Sequence, residues 1–265
     1  WSSDVCSSDL ALLNIGREQE SRSVLRECFS AYQRQIANGA PQLILSRFPV
    51  QLIAYFGDDR LDDVKRFAEE ANGGVVSWPL LNGIARVKLN LKDYSGAVAD
   101  AKKSAEMATE ADEDEAAEVW LVAGNIAIAA DLPNEAISAW EKSLSLDPEQ
   151  PLTTNNIAYV LSDKLGEHER ALPLAQAAVA ANPVNSQILD TLGTVQLALG
   201  DAESAIKSLA QSVRRGGGAG TQARYALALA RSGDLDRARL ALSDAKARDR
   251  SEERRVGKEC PLLCR

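Results

Sequence analysis

Residues 117–150 read AEVWLVAGNIAIAADLPNEAISAWEKSLSLDPEQ. Numbered as a 34-residue unit, this stretch places Trp120, Gly124, Ala136, Trp140 and Pro148 at positions 4, 8, 20, 24 and 32. The pattern returns downstream. Residues 151–185 carry Ile157, Ala158, Gly166, Ala171, Ala178 and Pro183, with one extra residue in the turn. Residues 186–218 carry Leu189, Leu192, Gly193, Gly200, Asp201, Ala205 and Leu209, and the stretch from 219 carries Tyr225, Ala226, Gly233, Asp234, Ala238, Leu242 and Ala245. Upstream, residues 78–111 supply Leu81, Ile84, Ala85, Tyr94, Ala97 and Ala101. Starts at 78, 117, 151, 186 and 219 are spaced by 39, 34, 35 and 33 residues. Self-similarity at such a period signals stacked supersecondary units, here called the first to fifth repeats.

Each recurring residue type has a physical reason. Small residues at positions 8, 20 and 27 (Gly124, Gly193, Ala136, Ala205, Ala178) sit where two helices of a repeat approach closely, and a larger side chain would overpack the contact by about 1–3 kcal/mol. The pairs Gly200-Asp201 and Gly233-Asp234 end one helix and start the next: Gly takes the left-handed position and Asp caps the new helix. Pro148 and Pro183 stop the second helix, since proline cannot continue it. Large apolar residues at positions 4, 7, 17 and 24 fill the seam to the neighbouring repeat. One repeat cannot bury that face alone, so the array must stack. An ordinary amphipathic antiparallel bundle shares the 3.6-residue period, but does not require Gly-Asp at one fixed register.

These residues resemble the tetratricopeptide-repeat family over about 78–247. The resemblance implies an all-α, right-handed α-solenoid of helix–turn–helix repeats, without catalysis or cofactor, holding a protein or peptide on its concave face. In that family the first (A) helix of each repeat lines the face, with contacts from positions 2, 5, 6, 9, 12 and 13. Here those positions hold Glu118, Leu121, Asn125 and Ile128, then Asn155, Asn156, Tyr159, Ser162 and Asp163, then Gln187, Asp190, Thr191, Thr194 and Leu197. One subtype grips a C-terminal carboxylate with three cations and two asparagines. Asn125 and Asn156 match the asparagines, but Leu121, Gln187 and Thr191 stand where the cations belong, so that role is not expected. Asp163, Asp190 and Glu118 tilt the expected partner toward a neutral or basic peptide. The stretches 154–159 and 189–193 also look like the C-terminal repeats of bacterial envelope proteins of polysaccharide export or protein sorting. That alternative implies an accessory lipoprotein, with a periplasmic or outer-membrane-anchored place beside the cytoplasmic one.

Composition narrows the rest. The net charge of −8 repels phosphate backbones, so nucleic acid is not an expected partner. A single histidine, His168, removes most histidine-based metal sites and Ser–His or Cys–His catalysis; it reads as a solvated turn residue. The sequence Gly216-Gly217-Gly218-Ala219-Gly220 lacks the Gly-Lys-Ser/Thr of a phosphate loop and reads as an inter-repeat linker. No apolar run approaches the roughly 20 residues of a membrane span.

Residues 11–77 read as one or two diverged helical repeats, with a helix over 21–37, Pro49 beginning another, and Gly57-Asp58 as a turn. The acidic stretch 111–115 explains the 39-residue spacing and reads as a solvated helix start. Pro173 falls inside a predicted helix and is expected to kink it or delay its start. Residues 1–10 and 250–265 abandon the pattern and resemble translated sequencing-adapter read-through, hence non-native ends. Cys6, Cys260 and Cys264 lie in them, which argues against a metal or disulfide; Cys28 reads as a packed helix residue.

Overall fold

A computed structural model describes residues 18–57 and 60–259, all of whose regular elements are helical. The chain divides into two compact units, 1–148 and 149–265. In the first lie α1 (Glu18–Ala37), a 3-10 turn (Gln42–Ser46), α2 (Arg47–Phe56), α3 (Leu61–Ala71), α4 (Trp78–Asn90), α5 (Tyr94–Glu110), α6 (Ala116–Ala129) and α7 (Pro133–Leu146). In the second lie α8 (Pro151–Asp163), α9 (His168–Ala181), α10 (Ser186–Ala198), α11 (Ala202–Arg214), α12 (Ala219–Arg231) and α13 (Leu235–Glu259). From α4 onward the helices pair as A and B partners: α4–α5, α6–α7, α8–α9, α10–α11 and α12–α13. Within each unit a B helix also packs on the next A helix, as α5 does on α6 and α11 on α12.

One backbone feature marks every A-to-B turn. Lys92, Asp131, Gly166, Gly200 and Gly233 all adopt positive φ, from 58° to 91°. Glycine suits this conformation, and the lysine and aspartate hold it at a cost of about 1–2 kcal/mol. The helix that follows is capped by a side chain in three repeats. Asp93, Asp201 and Asp234 accept from the backbone N–H of Gly96 (3.0 Å), Ser204 (3.0 Å) and Arg237 (3.2 Å). Asn185 does the same for α10, accepting from Gln187 and Ile188.

Position 8 meets position 24 in the second and fourth repeats. A Cβ on Gly124 would lie 2.4 Å from the ring of Trp140, and one on Gly193 would lie 2.5 Å from Leu209 Cγ. The first and third repeats instead carry buried alanines at these positions, Ala85 and Ala101, and Ala158 and Ala175. In the first four repeats the pair keeps a similar volume, glycine with a large side chain or alanine with alanine, whereas in the fifth Ala226 is buried and Leu242 is 45% exposed. Trp120, Ala136, Ala171, Leu192, Ala205 and Ala238 are buried at their repeat positions, while Pro148 and Pro183 stay exposed just beyond α7 and α9. A serine at position 27 adds a tie. Ser104, Ser143 and Ser212 each donate to the carbonyl 26 residues earlier, on Trp78 (2.7 Å), Ala117 (2.6 Å) and Ser186 (2.6 Å).

The helices before α4 are built differently. Phe29, Phe48 and Phe67 stack around Leu52, Val64 and Leu80, with ring centroids of Phe29 and Phe48 5.0 Å apart. Cys28 is buried on α1. Packing on α4 comes mainly from α2 and the 3-10 turn, and less from α3. Gly83 permits it, because a Cβ there would sit 2.3 Å from the Ser46 carbonyl oxygen and 2.9 Å from the Pro49 ring. Asp58, like residues 1–17 and 260–265, lies outside the described residues.

Two expectations need correcting. Of the two outcomes expected of Pro173, the late start does not occur: α9 begins five residues earlier at His168, with Pro173 inside it. The ring stands just past the first turn and removes only one intrahelical hydrogen bond, while buried Ala171, Ala175 and Ala178 anchor the helix. The acidic stretch is also more than a solvated start: Glu115 and Glu113 accept from the backbone N–H (2.5 Å) and side chain (2.7 Å) of Gln42.

Candidate functional site

Two stripes run side by side along α8. Asn155, Ala158 and Ser162, at i, i+3 and i+7, are buried. Asn156, Tyr159 and Asp163, one residue on, form the open stripe, with Tyr159 44% exposed. Helical geometry places each triplet on one face. Asn155 was expected on the ligand face, but it is only 1% exposed and its Oδ1 has no partner. It belongs to the interior stripe.

The next A helix continues the open face with Gln187, Asp190 and Thr194, and α12 continues it with Arg224, Leu227 and Arg231. Asp190 and Arg224 tie the two helices together. Arg224 Nε donates to Asp190 Oδ1 at 3.0 Å, and Nη2 donates to Oδ2 in the same fork. Arg231 donates to the Leu197 carbonyl at 2.7 Å, and both bonds span 34 residues. Thr194 Oγ1 donates to the Asp190 carbonyl at 2.8 Å. The expected negative charge at Asp190 is thus answered by a cation of the same chain, leaving Asp163 as the open carboxylate of the α8 stripe.

Asp163, Asp190 and Arg224 all act on Tyr159. The Tyr159 phenol is pushed above its usual range, first by burial, then by the hydrogen-bonding pull and charge of Asp163. Arg224 opposes that shift and Asp190 adds to it. Charged groups of three successive A helices therefore act on Tyr159.

In the first unit Asn125 is exposed, and its Oδ1 accepts from Trp140 Nε1 at 3.2 Å, which occupies part of its hydrogen-bonding capacity. Glu118 is also exposed and lines a groove of about 710 Å³ with Asp114, Glu115, Asp147 and Pro41. A second groove, of about 580 Å³, opens between α5 and α7 over Trp120, Ala123 and Ala127. Its wall includes Thr109, whose hydroxyl accepts from Trp120 Nε1 at 2.9 Å. Sequence reasoning missed this groove, although the 39-residue spacing pointed to it. The longer first repeat gives α5 17 residues where α7 has 14, and Thr109 and Glu110 sit on the added turn.

No protein-family model matches the chain. Solved structures do. MamA of Desulfovibrio magneticus RS-1, from residue 41 to its end, superposes with a TM-score of 0.57 at 19% identity, covering 66% of this chain and 96% of that one. A further MamA crystal structure gives 0.55 at 22% identity, over 64% and 97%. YrrB, described as a TPR protein with an unusual peptide-binding site, gives 0.52 at 22% identity, over 68% and 90%. The chain has the tetratricopeptide-repeat fold. The paired helices, the left-handed turn residue and the position 8–24 contact all follow from it.

His168, expected as a solvated turn residue, is half-buried at the first position of α9, with its Nδ1 2.9 Å from Ser162 Oγ. The contact closes the turn that carries the extra residue of the third repeat. Ser162 itself is buried on the interior stripe of α8. The glycine-rich 216–220 segment joins α11 to α12, with Gly216 left-handed and Gly218 preceding the first helical residue. Among the described residues no helix is long and apolar enough to cross a membrane.

Proposed function

We propose that the protein is a non-catalytic scaffold that holds a peptide or protein segment along the A-helix face of α8, α10 and α12. What supports the reading is that Asp163, Asp190 and Arg224, from three consecutive A helices, all act on the half-exposed Tyr159 phenol, with Asn156 and Gln187 on the same helices outside the buried core. Asn156 offers amide donors and an acceptor to an extended backbone. Tyr159 adds a broad ring that loses little freedom on binding, and its hydroxyl remains a polar handle. The Asp190–Arg224 fork is held in place before any ligand arrives, which lowers the entropy lost on binding. Asp163 favours a neutral or basic segment. The peptide-binding site ascribed to YrrB supports a peptide as the partner class. Against a hydrolytic role stands the position of Ser162: its contact with His168 lies on the buried stripe, turned from the face that a substrate would reach.

Selection from a random displayed-peptide library against the full chain tests this reading, with affinities of selected peptides measured calorimetrically. Tyr159→Ala and Asn156→Ala are each expected to weaken binding by about five- to tenfold, the range of a modest interface residue. Asp163→Lys should weaken basic peptides most. Ser138→Ala on α7 serves as the remote control. Failure to select any peptide, or equal affinity for the Tyr159→Ala/Asn156→Ala double variant, removes the A-helix face from the proposal.

A further inference from the structure

We propose that the outer face of α12 and α13 binds the same face of a second copy of this chain, about a two-fold axis. The surface lies apart from Asn156, Tyr159 and Asp163, and its pairing is independent of peptide binding.

The fourth repeat shows what such a face receives. Leu197, Ala205, Ile206 and Leu209, at positions 12, 20, 21 and 24, take Tyr225 and Ala228 of α12 into one apolar cluster. The fifth repeat carries Ala230, Ala238, Arg239 and Leu242 at the same positions. They line a groove of about 350 Å³ with Ala223, Leu227 and Leu235, and among the described residues no helix fills it. At position 24, Ala101, Trp140 and Leu209 are 1%, 2% and 0% exposed, whereas Leu242 is 45% exposed. Leu227 and Leu235 are open to water beside it. Apolar side chains gathered in this way mark an interaction surface, unlike leucines scattered singly. The chain does not return over the groove as α12 returns over α11, because α13 runs on to Glu259.

Two features select a second copy. Arg239 stands where the earlier repeats have Val98, Ile137, Leu172 and Ile206. A helix stacked as inside the array would cover this guanidinium with apolar side chains and leave it unpaired, which is costly. Asp236, one turn away, lies 3.5 Å from Arg239, and both side chains are exposed. A face carrying both signs within one turn is complementary to its own copy. Pairing about a two-fold axis lets each Arg239 reach the other copy's Asp236 at the edge, while the leucines bury one another between them. Head-to-tail stacking would instead need the other copy's first A helix, and α4 is already covered by α2 and the 3-10 turn.

Sedimentation velocity of the full chain tests the pairing over about a hundredfold range of concentration. Reducing buffer keeps Cys6, Cys260 and Cys264 from bridging copies. A monomer–dimer equilibrium that stops at two chains is expected. Leu242→Glu and Leu235→Glu, at exposed positions, should each weaken it by about tenfold or more with helicity unchanged. Asp236→Arg or Arg239→Asp alone sets like charges against each other and should weaken it several-fold, whereas an equimolar mixture of the two variants regains the pairing. A single-chain mass throughout, growth past two chains, a dimer indifferent to Leu242→Glu, or a mixture no more associated than its parts overturns the proposal.

Discussion

Gly124→Ala tests the packing rule on which the repeats depend. The new Cβ would stand 2.4 Å from Trp140 Cδ1 and Nε1 and 2.9 Å from Cε2. Carbon contacts are comfortable at about 3.5–4.0 Å, so the ring must retreat by roughly 1 Å. Trp140 is only 2% exposed, so its ring cannot retreat without displacing its neighbours. Overpacking of this kind costs about 1–3 kcal/mol. Movement of the ring also strains the Trp140–Asn125 hydrogen bond, though exposed Asn125 regains most of that from water. Working the other way, alanine exceeds glycine in helix propensity by about 1 kcal/mol. The clash wins, and a net loss of about 1–2 kcal/mol is expected.

The sign is what discriminates. Gly220→Ala, in the first turn of α12, meets only the Arg224 guanidinium at 3.6–3.9 Å and should stabilise by about 0.5–1 kcal/mol. In a Trp140→Ala background, itself costing about 3–5 kcal/mol, Gly124→Ala recreates the alanine–alanine pairing of Ala85 with Ala101 and should become stabilising. Urea unfolding followed by circular dichroism at 222 nm reads these changes, with midpoint and slope both compared because repeat arrays can unfold in stages. If Gly124→Ala raises the midpoint as Gly220→Ala does, or stays destabilising after Trp140 is truncated, the volume argument is wrong.

The remaining predictions concern caps, turns, ties and titration. Asn185→Ala removes two capping bonds from α10 and should cost about 1 kcal/mol in the same unfolding assay. Lys92→Gly relieves a left-handed lysine, and its gain, reduced by the greater freedom of glycine in the unfolded chain, should be about 0.5–1 kcal/mol. Ala245→Ser places a hydroxyl 26 residues after Ala219, where Ser212 stands relative to Ser186, and should add about 0.5–1 kcal/mol by the same tie. Absorbance titration at 295 nm should find Tyr159 ionising later than an ordinary tyrosine, earlier in Asp163→Asn, and later still in Arg224→Gln. Because its folded value is raised, the stability it contributes is present below the ordinary phenol pKa of about 10 and is lost as pH climbs through the folded value.

What the sequence disclosed about the fold was disclosed by repetition. Gly200 and Gly233 announced the left-handed turn, yet Lys92 and Asp131 adopt it as well, since stacked neighbours impose a backbone that local propensity resists. Gly124 and Gly193 announced a close approach, but what approaches them, Trp140 and Leu209, became visible only when position 8 was seen to face position 24. The serines at position 27 recur in three repeats, and their role stayed hidden because a hydroxyl at a small-residue position reads as mere tolerance of size. Before residue 78 there is no second copy to compare. The phenylalanine cluster and the Gly83 corner depend on contacts between distant residues that no period encodes.

The candidate site failed to read cleanly for a related reason. Adjacent residues of a helix differ by about 100° in direction, so a one-residue error in facing exchanges a ligand contact for a core position. Asn155 and Asn156 are chemically identical and adjacent, and only the packing of α8 against α9 and α10 decides that the first is interior and the second open. The charge pattern misled in the same way. Asp190 reads as an acidic ligand contact until Arg224, one repeat later, is found gripping it. A repeat protein re-uses its neighbours to satisfy its own charges, so its partner specificity rests on residues that the stacking leaves unanswered. By that criterion the proposed A-helix face rests more on Asn156, Tyr159 and Asp163 than on Asp190, and a partner survey that mutates Asp190 alone is expected to report loss of the inter-helix tie.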